Sequence, residues 1–299
     1  MADSFVDNLN EVSPAPVDDE VIATFTSEDD FNELTVELLK EVGSFVCIAA
    51  SALPADTKRW SRNQAIYGGH LVRLFKLIST LLDQTCQLRR ETTFIVSRLA
   101  YETAVNLAYL IENGSNELFD DYIRYSLRQE KKLYELIETN IAERGGIRLP
   151  IEDRMLASIS AAATKSGFSI TELSPTEPKS WSGKNLRERA KSVGLEPIYL
   201  AAFGGGSQHV HGNWMDLLEY HLDEEGDGFV PSLEWHRPRP QIGLAIALVT
   251  TDVVSRFFRF VEAFEEVDGL EERLGDLWNR VRRANVGHER FLSSRTGVS

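Results

Sequence analysis

The chain has 299 residues, of which 42% are hydrophobic and 26% are charged, proportions typical of soluble globular proteins. Its 46 acidic and 32 basic residues give a formal net charge of −14, which argues against a broad nucleic-acid-binding surface and disfavours anionic membranes. The cysteines Cys47 and Cys86 lie in apolar helical patterns and are expected to be buried thiols. Such thiols fit a reducing, cytoplasmic compartment, and the first twenty residues lack the pattern of a signal peptide.

The first half of the chain carries long amphipathic patterns. Residues 1–26 are acidic, contain two prolines and have no periodic apolar residues, so we expect a flexible, weakly packed arm. Apolar residues then recur at spacings of three and four, with breaks at proline or glycine. This spacing predicts helices at about residues 27–52, 63–82, 86–112, 116–142 and 151–165.

The second half contains two loops and two further helices. Residues 167–179 and 223–240 are rich in polar residues, glycine and proline, and Phe229-Val230 could pair with residues 233–235 as a small hairpin. The apolar run at 242–254 is shorter than the roughly 18 residues of a membrane span, so it predicts a core helix at about 241–267. A last amphipathic helix is expected from Gly269.

These elements predict an all-α fold, a multi-helix antiparallel bundle with at most a minor β-hairpin. We expect one helical domain at residues 27–292, preceded by the arm at 1–26 and followed by a short tail at 293–299.

The third predicted helix carries Arg98, Glu102 and Asn106 at spacings of four, which places them on one face. One interpretation is an exposed ladder in which Arg98 and Glu102 form a weak ion pair. The other is an inward polar cluster, because this helix is largely apolar and buried charges need partners.

Residues 181–214 supply candidate partners. Tyr199, Phe203 and Ser207 recur at spacings of four, and the glycines at 204–206 permit close backbone approach. His211 can act as a base or a proton donor near neutral pH, although such a histidine often only joins two helices by a hydrogen bond. His209 is the weaker candidate of the two histidines.

We therefore predict that Arg98 and Glu102 lie close to Ser207 and His211. In this hypothesis the catalytic residues are Arg98, Glu102 and His211, and the binding residues are Asn106, Trp181, Tyr199 and Ser207. Other site chemistries are disfavoured. Glu102, Glu219 and His221 could add metal ligands, but no CxxC or HExxH pattern is present, and we expect neither a metal nor a cofactor. Ser207 lacks the GxSxG pattern of a hydrolase, and the glycines form no phosphate-binding loop.

The same residues resemble the pattern of a bacterial and archaeal family, the domain of unknown function 5677. The matching features are Arg98, Glu102 and Asn106 before Tyr109-Leu110, then Trp181-Ser182-Gly183, Tyr199, Ser207 and His211-Gly212. The resemblance covers residues 30–265, and the glycine run at 204–206 departs from the bulkier residues expected before the serine. The family name implies no activity.

A more distant similarity is to helical HEPN-type proteins, which include ribonucleases that use an arginine followed four to six residues later by a histidine. Arg283 and His288 have this spacing, and Arg98 with His211 could form such a pair in space. This similarity implies an RNA-acting effector. The alternative is a non-catalytic helical interaction module in which the cluster fixes helix register. The expected partners are RNA or a protein, with a homodimer as one form and no membrane.

Overall fold

The computed structural model describes residues 9–52, 59–176, 178–204 and 212–296. Internal contacts divide the chain into two compact units, one formed by Met1–Glu112 with Arg189–Ser299 and the other by Asn113–Glu188. These residues form an all-α fold with one small hairpin, which confirms the predicted fold class. The predicted bounds of the domain at 27–292 and of the tail at 293–299 stay predictions.

Helices make up most of the described chain, and six of them are long. The helices in chain order are α1 Asp19–Ile22, α2 Glu28–Ser51, α3 Arg62–Cys86, α4 Arg90–Asn113, α5 Asn116–Glu143, α6 Pro150–Lys165, α7 Leu186–Ser192, α8 Trp214–Tyr220, α9 Pro240–Phe260, α10 Ala263–Glu266 and α11 Leu270–Thr296, where α2 to α5, α9 and α11 each have at least 21 residues. A 3₁₀ turn, Glu196–Ile198, and a π-helical turn, Leu200–Gly204, follow α7. In the first unit α2 packs against α3, α9 and α11, and α9 also packs against α11 and the π-helical turn. In the second unit α5 packs against α6.

The start of α2 shows how the sequence sets a helix boundary. The Asp30 carboxylate accepts hydrogen bonds from the backbone N–H groups of Ser27 and Thr26, at 3.0 and 2.9 Å. These bonds satisfy donors that the first turn would otherwise leave free, and they lower the pKa of Asp30. The residues at the start of α2 therefore begin the helix where the sequence predicts it.

Two predicted helices are interrupted where a residue other than glycine has a positive φ. Leu88 has a φ of 57°, and the third helix begins at Arg90 instead of about residue 86. Glu262 has a φ of 60°, so the long helix ends at Phe260 and α10 follows separately. The apolar spacing continues across both breaks, which is why periodicity alone did not locate them.

The small hairpin joins β1, Leu222–Glu225, to β2, Gly228–Pro231. Gly226 has a φ of 64°, a conformation that glycine adopts readily at the first position of a two-residue hairpin turn. The predicted pairing of Phe229-Val230 with residues 233–235 is wrong, because β2 pairs with the segment before it. The Glu-Gly-Asp-Gly sequence supplies the tighter turn.

The structure corrects the expectation that residues 1–26 are weakly packed, for residues 9–26. The side chains of Leu9, Val12, Ala15 and Ile22 are buried. A Cβ atom on Gly287 would lie 2.5 Å from Ile22, so this glycine permits α1 to approach α11 closely. The buried apolar residues of this segment are too irregularly spaced to form a helical or strand pattern, which hid their packing from sequence analysis.

A buried ion pair holds this segment in place. Arg280 on α11 donates two hydrogen bonds to the Glu41 carboxylate on α2, both at 2.7 Å. The same two residues bind the backbone of Ala15: its N–H donates to Glu41 at 2.8 Å, and its carbonyl accepts from Arg280 at 2.9 Å. The N-terminal segment is therefore fixed by charge-assisted hydrogen bonds to two core helices.

The expectation of buried thiols is also wrong, because Cys47 and Cys86 are both free and exposed. Each lies on the solvent side of an amphipathic helix. By length and composition alone, α3 and α9 could each cross a membrane, but the core helix of a soluble protein passes the same test. The most apolar window of α9 is 72% buried within the protein, which fits its predicted position in the core.

We predict that Glu41→Gln lowers the free energy of unfolding by about 3 kcal/mol, because it leaves the buried Arg280 guanidinium without its counter-charge. Urea titration followed by circular dichroism measures the change. The matched control is Glu37→Gln on the same helix, where Glu37 forms an exposed pair with Lys40. The control should unfold at the same urea concentration as the wild type, and equal losses in the two variants would contradict the role of the buried pair.

Candidate functional site

The centre of α4 meets residues 195–204 in a group of three aromatic rings and one guanidinium. We name Arg98, Tyr101, Tyr199 and Phe203 the arginine–aromatic cluster. The Arg98 guanidinium carbon lies 4.0 Å from the centre of the Phe203 ring. The Tyr199 and Phe203 ring centres are 5.2 Å apart, and Tyr101 lies 6.1 and 6.2 Å from them. The cluster therefore joins two predicted site residues, Arg98 and Tyr199.

Local sequence explains how these side chains meet. Arg98 and Tyr101 are three residues apart on α4 and lie on neighbouring rows of its surface. Tyr199 and Phe203 are four residues apart across the 3₁₀ and π-helical turns, which keeps their rings on one side. The π-helical turn packs against α9 and contains the buried residue Ala202, so it has a fixed support. π-Helical turns are often found at functional sites.

Tyr101 is the best-anchored member of the cluster. Its side chain is fully buried, and its hydroxyl donates a hydrogen bond to the carbonyl of Leu195 at 2.8 Å. Burial raises the pKa of Tyr101 far above its ordinary value, and the nearby Tyr199 and Glu196 raise it further. The hydroxyl thus stays protonated as a structural donor and cannot serve as a base near neutral pH.

The predicted polar face of α4 is half-buried and includes Arg98, Glu102 and Asn106, whereas the rest of the helix is mostly buried. The Arg98 Nη1 and Asn106 Oδ1 atoms are buried and have no hydrogen-bond partner among the described residues. A buried guanidinium N–H without a partner is costly, and such atoms often mark a bound water or ion. This face therefore offers one free donor and one free acceptor.

Three predicted residues, Ser207, His209 and His211, lie outside the described residues. Their proximity to Arg98 and Glu102 stays a prediction. Trp181 belongs to the second unit, where its buried ring packs edge-on against Tyr122 at 5.2 Å. The described part of the chain contains no group of three or more acidic, histidine or cysteine side chains placed to hold a metal.

One candidate metal ligand has a different environment. His221 Nε2 lies 3.6 Å from an Asp216 oxygen and 3.8 Å from a Glu91 oxygen. Glu91 is at the start of α4, on the same face as Arg98. Glu219, which was also considered as a metal ligand, instead forms an ion pair with Arg239 at 3.1 Å. These contacts join α8 to α4 and leave Glu219 apart from the histidine.

The Arg283 and His288 pair does not form an open site. His288 is fully buried between Phe31 and Phe291, with ring centres 4.8 and 6.3 Å away. Arg283 is partly exposed and forms an ion pair with Asp19 at 3.0 Å. A substrate cannot reach the imidazole in this arrangement, so the arginine–histidine spacing here belongs to helix packing.

Two members of the cluster, Tyr101 and Phe203, were not predicted as site residues. Phe203 shares the spacing of four with Tyr199, which was the available sign of its position. Tyr101 is three residues from Arg98 and lies beside the polar face of α4. Its role depends on the Leu195 carbonyl, a backbone atom that no side-chain pattern identifies.

A model of a family of unknown function, DUF5677, matches residues 64–229, which is more than half of the chain. The chain belongs to this family. The predicted family is therefore confirmed, whereas the more distant HEPN-type similarity stays a prediction. The match includes the whole arginine–aromatic cluster and excludes Arg283 and His288. Comparisons with curated proteins and with solved structures give no match.

We predict that Tyr101→Phe lowers the free energy of unfolding by about 1–3 kcal/mol, because it leaves the buried Leu195 carbonyl without its donor. Denaturant unfolding measures the loss. Tyr125→Phe is the matched control, since the Tyr125 ring packs under Arg128 and keeps that contact without its hydroxyl. A Tyr101→Phe protein as stable as this control would show that the hydrogen bond does not stabilise the fold.

A second prediction concerns pH. Burial lowers the pKa of His288 below its ordinary 6.5, although Glu28 partly opposes the shift. Below about pH 6.5 the histidine is protonated in the unfolded chain but stays neutral in the folded chain. The free energy of unfolding therefore falls as the pH drops below about 6.5. His288→Phe should narrow the difference in Tm between about pH 7.5 and pH 5. Some of the difference should remain, because burial also lowers the pKa of His70. An unchanged difference would contradict a neutral buried His288.

Proposed function

We propose that the protein is a non-catalytic helical interaction module in which the arginine–aromatic cluster fixes residues 195–204 on α4. The stacking of Arg98 on Phe203, at 4.0 Å, carries this proposal. A guanidinium held over a ring of its own chain stabilises the packing of the two side chains, which are both half-buried here. The Tyr101 hydroxyl also contributes to packing, because it donates its hydrogen bond to the Leu195 carbonyl of the same chain.

The distribution of charge supports an interaction role over RNA cleavage. The formal net charge of −14 disfavours a polyanion over most of the surface. The arginine–histidine pair with the spacing of helical ribonucleases has its histidine buried in an aromatic pocket. We also propose a cytoplasmic location, because two exposed free thiols suit a reducing compartment.

A second candidate is an RNA-acting effector of the HEPN type, with Arg98, Glu102 and His211 at its site. The buried Arg98 Nη1 atom favours it, since this donor has no partner in the described part of the chain and could bind a phosphate oxygen. In this mechanism Arg98 stabilises the charge on the reacting phosphate, and His211 moves a proton at the ribose 2′-hydroxyl or the leaving oxygen.

Arg98→Ala and Arg98→Lys separate the two candidates. The interaction module predicts that Arg98→Ala loses several degrees in Tm, because the Phe203 ring loses its stacked guanidinium. Arg98→Lys keeps the charge but not the planar group, so its loss should be intermediate. Arg154→Ala is the control, because Arg154 is exposed on α6. RNA cleavage and cell growth are measured for the same proteins and for His211→Ala.

The opposite result would support the RNA-acting effector, with Arg98 as a catalytic residue. In that case wild-type protein cleaves RNA, both Arg98→Ala and His211→Ala abolish cleavage, and neither variant melts earlier than Arg154→Ala. A wild-type protein without cleavage whose Arg98→Ala variant alone is destabilised supports the interaction module.

A further inference from the structure

Residues 213–235 form a surface that is both acidic and aromatic. This segment contains seven acidic residues and no lysine or arginine. The exposed carboxylates without an ion-pair partner among the described residues are those of Asp223, Glu224, Glu225, Asp227 and Glu234. The remaining two, Asp216 and Glu219, contact His221 and Arg239. Seven of the 46 acidic residues of the protein therefore lie on α8, the hairpin and the residues that follow it, with no lysine or arginine among them.

Large apolar side chains are exposed beside these carboxylates. They are Trp214, Met215, Phe229, Leu233 and Trp235, of which Leu233 is 92% and Trp214 56% exposed. Trp214 packs edge-on against Phe229 at 5.7 Å, and the register of the hairpin pairs Phe229 with Glu224 on one face. We name residues 213–235 the acidic aromatic surface. Aromatic rings exposed together in this way are typical of an interaction site.

The C-terminal half of α11 has the opposite character. Between residues 278 and 296 there are five arginines and one glutamate, and all of these arginines except Arg280 are exposed. Three of them, Arg282, Arg283 and Arg290, line a cavity of about 580 Å³. Its apolar lining includes Ile22, Phe25 and Phe291. We name it the basic cavity.

The basic cavity keeps free positive charge. Arg283 is neutralised by Asp19 at 3.0 Å. Arg282 and Arg290 have no carboxylate partner in the described part of the chain, and Arg282 lies near the Trp278 ring at 5.8 Å. The cavity therefore combines two unpaired guanidinium groups with an apolar wall, and this combination fits a ligand that is both acidic and apolar.

We propose that the acidic aromatic surface of one copy of this chain docks on the basic cavity of a second copy. The proposal names the partner for the interaction role proposed above. Each surface supplies what the other lacks: carboxylates for the unpaired arginines, and exposed rings for the apolar wall. In a two-fold dimer the same contact forms twice, which closes the assembly and covers both surfaces on both copies.

The side chains are large enough for such an interface. Complete burial of one aromatic side chain removes about 150–250 Å² from water. Trp214, Phe229 and Trp235 are 56%, 48% and 52% exposed, so docking buries about half of that area on each. Two copies of the contact then approach the roughly 800 Å² per partner of a standard interface. Nucleic acid is a less suitable partner than a second copy. Its phosphates could bind the arginines of the basic cavity, but the carboxylates of the acidic aromatic surface repel them, so the exposed rings would stay uncovered.

Sedimentation equilibrium of the full chain tests the proposal, with protein at up to about 100 µM, roughly a hundred times a micromolar Kd. The wild type should have twice the chain mass of 33.7 kDa at about 50 mM salt and dissociate in part at about 500 mM, where surface charges are screened. Glu224→Arg with Glu225→Arg, and separately Arg282→Glu with Arg290→Glu, should each give a monomer. Glu143→Arg with Glu172→Arg is the control, because both residues are exposed in the other unit.

Mixing the two reversed proteins is the decisive step. In the mixture every reversed hairpin faces a reversed helix, so complementary charges are restored at both contacts and the dimer should return. Misfolded variants cannot produce this rescue. A monomeric wild type, a dimer that survives both reversals, or a mixture without rescue would overturn the proposal. A wild-type monomer whose tryptophan fluorescence changes with an arginine-rich peptide would assign the surface to another cationic partner and would also overturn it. The melting of Arg98→Ala tests the cluster separately.

Discussion

The buried hydrogen bond from the Tyr101 hydroxyl to the Leu195 carbonyl is the constraint around which the candidate site is arranged. Most of α4 is buried, so a polar atom at its centre must find a partner inside the protein. The bond holds the segment after α7 against α4. The Tyr199 and Phe203 rings then lie beside Tyr101, and the Arg98 guanidinium lies over Phe203. Two contacts therefore set the geometry of the site: the hydrogen bond of the Tyr101 hydroxyl and the stacking of the Arg98 guanidinium.

Much of the fold could be predicted because its causes are local. Amphipathic spacing located the long helices, and the carboxylate of Asp30 fixed the start of α2. Docking of residues 9–26 could not be predicted, since it depends on the Arg280 and Glu41 pair, which joins positions 239 residues apart. The helix breaks at Leu88 and Glu262 could not be predicted either, because a positive φ at these residues does not change the spacing of the apolar residues.

The candidate site was predicted in part for the same reason. Spacings of four identified the polar face of α4 and the pair of Tyr199 and Phe203, which are local features. The partner of Arg98 within the described residues is an aromatic ring, whereas the sequence suggested a hydroxyl or an imidazole. Those groups, on Ser207 and His211, lie outside the described residues. The arginine–histidine spacing at Arg283 misled, because spacing does not report that His288 is enclosed by Phe31 and Phe291.

A double-mutant cycle between Arg98 and Phe203 tests most directly whether the cluster holds residues 195–204 on α4. The free energy of unfolding is measured for the wild type, Arg98→Ala, Phe203→Leu and the double variant. We expect a coupling energy of about 0.5–2 kcal/mol, the range for a cation stacked on an aromatic ring, because Arg98 and Phe203 are both half-buried. Strictly additive losses would contradict it, because they would mean that Arg98 and Phe203 stabilise the protein independently.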